Sequence, residues 1–285
     1  MKRLGVDYEA VSEANPRAIM ASLSGFGQSG PRGSWPSYHP TSSALSGLTS
    51  LFGYEGEGPL GFGHSHMDYM AGYLGSIGAL DALLRRELTA EGDHVDVSQL
   101  ECGVALVGPQ VLQWTVNGET AKPEGNRAGA LGAPLQGCYQ AAGDDQWIVV
   151  TATDHEMLSK LGAVVNSVDD SADAIESALI SWCSTIETWH AFHQLQKAGI
   201  AAGVVSHGPD LAGDEHLAAR KAVANLPHPE LGHVPIVQCP IVLDGRRLDV
   251  RTAGALLGEH NEKILREKLG MDEDLYLDLV VKEII

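Results

Sequence analysis

The densest group of reactive side chains lies in the run Gly63 to Gly72, which reads Gly-His-Ser-His-Met-Asp-Tyr-Met-Ala-Gly. Its one carboxylate, Asp68, lies where a strand-like stretch gives way to a helix that we predict to begin at Tyr69. Aspartate is favoured at a helix N-cap because its side chain accepts hydrogen bonds from free backbone N–H groups. A helix N-terminus also stabilises negative charge. The spacing therefore predicts that Asp68 caps this helix as an ionised carboxylate.

The same run has the spacing of metal ligands, because His64, His66 and Asp68 alternate along the chain and an extended strand would place them on one face. The pattern is similar to the His-x-His-x-Asp-His ligand run of metallo-hydrolases. Here Tyr69 takes the place of the last histidine, and a long apolar helix begins at once. We therefore predict no metal site, and expect the neutral imidazoles of His64 and His66 to shape a pocket beside Asp68.

Other chemistries lack their motifs in this sequence. There is no Gly-x-x-x-x-Gly-Lys-Ser/Thr phosphate loop and no Gly-x-Ser-x-Gly nucleophile elbow. The four cysteines are widely separated, without a Cys-x-x-Cys pair, which argues against a zinc knuckle or a disulfide framework. We expect four buried thiols.

Composition narrows the class of protein. With 285 residues, 44% of them hydrophobic and 20% charged, the chain is typical of a globular protein with a sizeable core. A net charge of -18 argues against nucleic-acid binding, which needs clustered lysine and arginine. No apolar run reaches the roughly 18 residues of a membrane span, and the N-terminus lacks the apolar core of a signal peptide. We predict a cytoplasmic protein with no membrane partner.

The elements around Asp68 can be predicted from periodicity. A mostly apolar run, residues 18–24, predicts a buried strand that ends in the glycine-rich stretch 25–31. Residues 69–88 are apolar nearly all round, which predicts a buried helix. Residues 95–97 are extended, and Asp96 or Ser98 is expected to cap a second apolar helix over 99–116. This order predicts an α/β layer.

The rest of the chain begins with a passage that lacks periodicity and continues with a mixture of predicted strands and helices. A passage without periodicity, residues 118–136, is predicted to be a linker and functional loop. A hairpin, several helices and extended segments are expected after it: strands at 137–142 and 146–153, helices at 170–183 and 186–198, a strand at 200–206, extended chain at 235–243, and helix over 256–284.

Several short stretches occur in a fixed order along nearly the whole chain: Leu4-Gly5-Val6-Asp7-Tyr8-Glu9, Asn15-Pro16-Arg17, Ser24-Gly25-Phe26-Gly27-Gln28-Ser29-Gly30-Pro31, Ala44-Leu45-Ser46-Gly47-Leu48, Asp68 to Gly72, Val95-Asp96-Val97-Ser98, Gly125-Asn126-Arg127, Gly143-Asp144-Asp145-Gln146-Trp147, Ala198-Gly199-Ile200 and Leu257-Gly258-Glu259-His260. Together, and in this order, they resemble the class III CoA-transferases, the CaiB/BaiF type that includes formyl-CoA and carnitine CoA-transferases. The order, more than any single stretch, carries the resemblance.

The resemblance implies a catalytic role for Asp68. The matching family aspartate attacks an acyl-CoA thioester, giving a mixed anhydride and CoA thiolate, then an aspartyl-CoA thioester from which a carboxylic acid takes the CoA. It implies no permanently bound cofactor, with the CoA thioester as substrate. Substrate and CoA contacts are expected at Tyr38, His39, His64 and His66, and at the glycine loop Gly129-Ala130-Leu131-Gly132. Formyl-type members carry a run of four glycines in that loop, so this loop is bulkier.

Two alternatives remain at this stage. Related acyl-CoA racemases or epimerases carry a histidine where this chain has Tyr38, and His39 is one position late. A non-catalytic or half-site subunit of a heteromeric CoA-transferase is the other alternative.

The resemblance also implies an architecture. Family members are usually about a hundred residues longer at the N-terminus, so we expect an incomplete Rossmann-like large domain over 1–117, a smaller α+β domain over 118–222, and a C-terminal arm over 223–285 that returns to the large domain. Family dimers are interlocked, which predicts a homo- or hetero-oligomer. Either another chain supplies the missing N-terminal layer, as in a split enzyme, or the chain is a truncated product.

Overall fold

The computed structural model describes residues 1–61, 63–127 and 132–285. The chain divides into two compact units, Met1–Val204 and Val205–Ile285. The domain boundaries expected at residues 117 and 222 stay predictions.

A pair of parallel strands organises the first part of the larger unit. Helix α1, Tyr8–Ala14, is capped by the Asp7 carboxylate, which accepts from the Ala10 N–H, and leads into strand β1, Met20–Ser24. Strand β2, His94–Ser98, lies parallel to β1 and pairs Met20 with His94 through to Ser24 with Ser98. Both strands occur where the sequence predicts them, and a parallel pair requires a long crossover between them.

The crossover holds helix α2, His39–Leu45, a 3-10 turn, Leu48–Leu51, and helix α3, His66–Thr89. After β2 come helices α4, Gln99–Leu106, and α5, Gly108–Asn117. The single helix predicted over 99–116 is therefore wrong. Pro109 lacks a backbone N–H and cannot continue the hydrogen bonding of α4, so the chain starts a new helix at Gly108.

Helix α3 corrects a second expectation. Of its side chains, only Met67, Ala71 and Ala82 are buried, together with Gly75, so the fully buried helix predicted from its composition is wrong. One face packs on the strands: a Cβ at Gly75 would lie 3.1 Å from Leu23, and one at Gly78 would lie 2.6 Å from Val95. The remaining faces expose large apolar side chains, which include Tyr73, Ile77, Leu80, Leu84 and Leu88.

The second part of the larger unit has its own core. Strands β3, Leu135–Gln140, β4, Trp147–Ala152, and β5, Ala201–Val204, form an antiparallel sheet in the order β3-β4-β5, and the predicted hairpin is confirmed. Helices α6, His155–Val165, α7, Ala172–Cys183, and α8, Thr188–Lys197, pack on it. The most deeply buried residues of this core include Ile148, Leu161, Ile175, Leu179 and Leu195.

The smaller unit, 205–285, contains short elements. They are helices α9, Gly208–Gly213, and α10, Glu215–Ala219, hairpins β6–β7, Val223–His228 with Gly232–Val237, and β8–β9, Val242–Leu243 with Arg246–Arg247, a π-helical turn, Lys263–Lys268, and helix α11, Glu273–Val281. No helix within the described ranges is long and apolar enough to cross a membrane.

Candidate active site

Asp68 lies in the first turn of α3, as its third residue. The predicted N-cap role is wrong, because the helix begins three residues earlier and Ser65 occupies the cap position. The Ser65 carbonyl accepts hydrogen bonds from the backbone N–H groups of Asp68, at 3.0 Å, and Tyr69, at 3.3 Å. The Asp68 side chain is exposed, in the part of the helix where the macrodipole stabilises negative charge.

The first turn of α3 is capped instead by a histidine from another helix. Nδ1 of His39, at the start of α2, accepts a hydrogen bond of 3.1 Å from the Met67 N–H. Because an accepting Nδ1 carries no proton, this bond requires the neutral ring in the tautomer protonated at Nε2. Burial lowers the pKa of His39, the Asp68 carboxylate opposes this effect, and the neighbouring imidazoles of His66 and His64 add to it. His39 is buried, at 8% exposure, and its hydrogen bond with the Met67 N–H holds the turn that carries Asp68.

Gln99 contacts Asp68 directly. Its Nε2 donates a hydrogen bond of 2.5 Å to Oδ1 of Asp68, and among the described residues none donates to Oδ2. Gln99 is the first residue of α4, which Ser98 caps by accepting from the Glu101 N–H. Sequence reasoning missed Gln99, although the predicted cap at Ser98 placed it at a helix start beside the end of β2.

The other predicted site residues lie at different degrees of exposure. The rings of His64 and His66 stack with centroids 5.9 Å apart and an interplanar angle of 5°, close in sequence to Asp68. Tyr38 precedes α2 and is 80% exposed. Within the described residues, no three His, Cys, Asp or Glu side chains converge as metal ligands.

A shallow groove of about 480 Å³ follows α3 beyond Asp68. Its lining repeats at helical spacing along one face: Ser65, Asp68, Tyr69, Gly72, Tyr73 and Ser76. A Cβ at Gly72 would meet no atom within 4 Å, so this glycine leaves open space next to the carboxylate. The groove offers a long ligand two tyrosine side chains and serine hydroxyls.

The glycine loop predicted at residues 129–132 falls mostly outside the described residues. Gly129, Ala130 and Leu131 belong to the part of the chain that the structure leaves undescribed. Gly132 is described and has φ +60°, a left-handed conformation that favours glycine.

Comparisons with known proteins agree with this arrangement. The model of CoA-transferase family III matches residues 1–261. A formyl-CoA:oxalate CoA-transferase of Streptomyces coelicolor is 30% identical, and the match covers 96% of this chain and 73% of the relative. The beta subunit of a succinyl-CoA–L-malate CoA-transferase of Chloroflexus aurantiacus is 24% identical, over 100% of this chain and 74% of that subunit.

Solved structures share the fold. The crystal structure of a CaiB/BaiF family protein from Brucella suis superposes with a TM-score of 0.80 at 22% identity, over 93% of this chain and 72% of that one. The family model and the relatives confirm the resemblance to the class III CoA-transferases, and the solved structures confirm the α/β fold that it implied. The chain belongs to CoA-transferase family III, and it is an enzyme of the CoA-transferase class.

Proposed function

We propose that this protein transfers coenzyme A from an acyl-CoA donor to a carboxylic acid, with Asp68 as the covalent nucleophile. The observation that carries the proposal is the exposed Asp68 carboxylate beside the groove of α3, whose Oδ2 accepts no hydrogen bond from the described residues. A carboxylate in that state is an available oxygen nucleophile. The first turn of α3 stabilises the negative charge that the carboxylate carries before attack and regains at the end of each cycle.

The reaction divides into four exchanges. Asp68 Oδ2 attacks the thioester carbonyl, the carbon–sulfur bond breaks, and CoA leaves as a thiolate, giving a mixed anhydride. The thiolate then attacks Cγ of Asp68 and the donor acid leaves as a carboxylate, giving an aspartyl-CoA thioester. The acceptor carboxylate attacks Cγ and releases the thiolate, which attacks the acceptor carbonyl and frees Asp68. Covalent catalysis replaces one difficult transfer by these easier steps.

The substrates are an acyl-CoA and a carboxylic acid, and CoA serves as a substrate with no permanently bound cofactor. Tyr38, His64, His66 and the loop of residues 129–132 are proposed to contact them, with loop N–H groups stabilising the tetrahedral oxyanions. We assign His39 a positioning role, since it is buried and holds the Met67 N–H. Relatives named for oxalate and malate favour a small dicarboxylic acid as the acceptor class.

The direct test compares two aspartates of one helix. Asp68→Asn removes the nucleophile with little change of shape and is expected to abolish CoA transfer between an acyl-CoA and an acid. Asp81→Asn makes the same substitution at an exposed position of α3 and should leave turnover unchanged. Turnover is measured by chromatography of the CoA esters on the protein together with any chain that copurifies with it. Undiminished transfer by Asp68→Asn would refute the nucleophile.

Racemase chemistry is the second candidate and is less well supported. It needs a base that reaches the carbon next to the thioester, where racemases place a histidine. This chain has Tyr38 at that position, and the neighbouring His39 is buried and accepts the Met67 N–H. Loss of deuterium from an α-deuterated acyl-CoA in the absence of an acceptor acid would favour the racemase.

A half-site subunit, whose site a second chain completes, is the remaining alternative, and an oligomer is proposed with either function. The described lining of the groove contains no lysine or arginine, whereas the phosphates of CoA require positive charge. Relatives that are named as alpha and beta subunits support a partner chain. Calorimetric titration with CoA separates the cases: binding only after a second chain is added indicates a shared site. The cytoplasmic location stays a prediction.

A further inference from the structure

A series of hydrogen bonds between polar side chains connects helices α2, α4 and α3 and ends at Asp68. We call this series the line. Ser42 of α2 is fully buried, and its Oγ donates to Oε1 of Gln99 at 3.3 Å. Nε2 of Gln99 donates to Oδ1 of Asp68. Ser37 Oγ lies 2.7 Å from Ser42 Oγ and completes the line.

The line fixes which end of the Gln99 amide faces the carboxylate. An ionised carboxylate only accepts hydrogen bonds, so the amide nitrogen must point to Asp68. Oε1 then faces Ser42, whose hydroxyl can donate to it. Because Ser42 donates to Gln99, the hydrogen bond between the two serines is donated by Ser37.

The loop that follows β1 holds Gln99 and Ser37 in place. The Leu100 N–H donates to the Gly25 carbonyl at 3.0 Å, which ties the start of α4 to the loop after β1. A Cβ at Gly25 would lie 2.3 Å from Cβ of Ser37, so only glycine allows this approach. Gln99 is thus held before any substrate binds, which is the condition under which a hydrogen-bond donor stabilises a transition state.

We propose that Gln99 is a catalytic residue that polarises the aspartyl carbonyl in both intermediates. The inference rests on the proposed role of Asp68 as nucleophile. Gln99 engages Oδ1 of the free carboxylate and leaves Oδ2 for attack on the donor. Once Oδ2 is acylated, Oδ1 is the carbonyl oxygen of the anhydride, with a donor already on it.

The donor acts in the steps that take place at Cγ. When the thiolate attacks, a carbon–sulfur bond forms and the carbonyl electron pair moves to Oδ1. The tetrahedral oxyanion then collapses, the bond from Cγ to Oδ2 breaks, and the donor acid leaves with that electron pair. Charge on Oδ1 is greatest in the transition state, so the Gln99 hydrogen bond strengthens there and accelerates the step.

Removing the donor is therefore expected to slow turnover without abolishing binding. Gln99→Met keeps the length of the side chain and removes the amide, and kcat should fall by about 100-fold or more, the usual cost of one oxyanion donor. KM for acyl-CoA should fall rather than rise, because the enzyme accumulates as the anhydride. Rapid quenching should reveal a burst of free CoA thiol, because anhydride formation outruns thiolate attack at Cγ.

A matched control uses another glutamine. Gln113 of α5 donates to Oε2 of Glu119 at 3.3 Å, and Gln113→Met should leave kcat unchanged.

A second variant separates donation from simple packing. Gln99→Glu keeps the shape, and the introduced acid donates a hydrogen bond only while the pair of carboxyl groups shares a proton. Its kcat should therefore be recovered at acidic pH and lost as the pH rises, whereas Gln99→Met should be slow at every pH. This readout also decides the case if Gln99→Met does not fold.

Two results would overturn the inference. Wild-type kcat in Gln99→Met, or equal pH profiles for Gln99→Glu and wild type, would remove Gln99 from catalysis while leaving Asp68 as the nucleophile. Turnover by Asp68→Asn would instead refute the proposed function itself, so the two failures are distinguishable.

Discussion

The two oxygens of Asp68 have different surroundings. Oδ1 accepts from Gln99, whereas Oδ2 has no donor among the described residues and lies on a side chain exposed beside the groove. The sequence predicts that Asp68 lies near a helix start, but it does not predict that Gln99 contacts Asp68 or that Ser42 contacts Gln99. The residues of these contacts are 31 and 57 positions apart in sequence, and local spacing carries no signal of such pairings.

His39 predicts a pH dependence of stability. Its pKa in the folded protein lies below the ordinary value of 6.5, mainly because burial disfavours the charged ring. The unfolded chain therefore binds a proton that the folded chain excludes, and the free energy of unfolding decreases as pH falls below about 6.5 toward the folded pKa. Above that range this group adds no pH dependence to the free energy of unfolding. Protonation at Nδ1 also removes the acceptor of the Met67 N–H.

His39→Asn checks this at one residue. The Asn side chain can accept from the Met67 N–H through Oδ1 but does not titrate. Urea unfolding between pH 5 and pH 8 should therefore show a smaller loss of stability in acid for His39→Asn than for wild type. Identical acid slopes in the two proteins would show that His39 is not responsible.

At the scale of the element, the glycines of helix α3 have two different roles, close packing and the opening of a groove. Its glycines at 75 and 78 allow close packing on Leu23 and Val95, while Gly72 opens the groove next to Asp68. The sequence shows glycines at every third position, 72, 75 and 78, which indicates that another group lies close to the helix there. It does not separate the two that meet side chains of the sheet from the one that meets open space, because that depends on which way α3 faces β1 and β2.

Alanine substitutions at two of these glycines should change the free energy of unfolding in opposite directions. Gly72→Ala is expected to raise the free energy of unfolding by up to about 1 kcal/mol, since alanine is the better helix former and its Cβ meets nothing. Gly78→Ala should lower it by about 1–3 kcal/mol, because the Cβ would lie 2.6 Å from Val95 Cγ1. Urea denaturation of both variants measures the difference, and equal effects would contradict the packing described for α3.

The groove adds a functional readout to the same element. Gly72→Leu should fold, since the space beside Gly72 is open, but it should weaken the binding of an acyl-CoA analogue. Unchanged affinity would place the thioester elsewhere.

At the scale of the whole molecule, most elements were predictable because their periodicity and caps are local. The Asp154 cap of α6 and the β3–β4 hairpin are examples. The burial of α3 was not predictable in this way. Its apolar composition predicts a helix enclosed on all sides, whereas the chain itself covers only the sides toward the strands and toward helices α2 and α4.

The exposed face of α3 predicts assembly. Ile77, Leu80, Leu84 and Leu88 form a stripe at helical spacing, and apolar surface of this kind usually marks an interaction site. We expect the wild-type protein to be larger than a monomer by light scattering after size exclusion. Leu80→Lys combined with Leu84→Lys should reduce the size, because both side chains are more than 60% exposed and need not be buried for folding.

Asp170→Lys provides the control for charge. It changes the net charge as much as the two lysines do, at an exposed position outside α3, and should leave the assembly intact. A wild-type monomer over the full concentration range would contradict the oligomer.

The central claim is the acyl-accepting role of Asp68, and trapping tests it most directly. The protein, with any copurifying chain, is incubated with an acyl-CoA in the presence of hydroxylamine, which converts an aspartyl anhydride or thioester to a hydroxamate. Tandem mass spectrometry of the digested protein should then find the hydroxamate on Asp68, dependent on acyl-CoA. A protein that transfers CoA while Asp68 stays unmodified, or that carries the hydroxamate on another residue, would contradict the account.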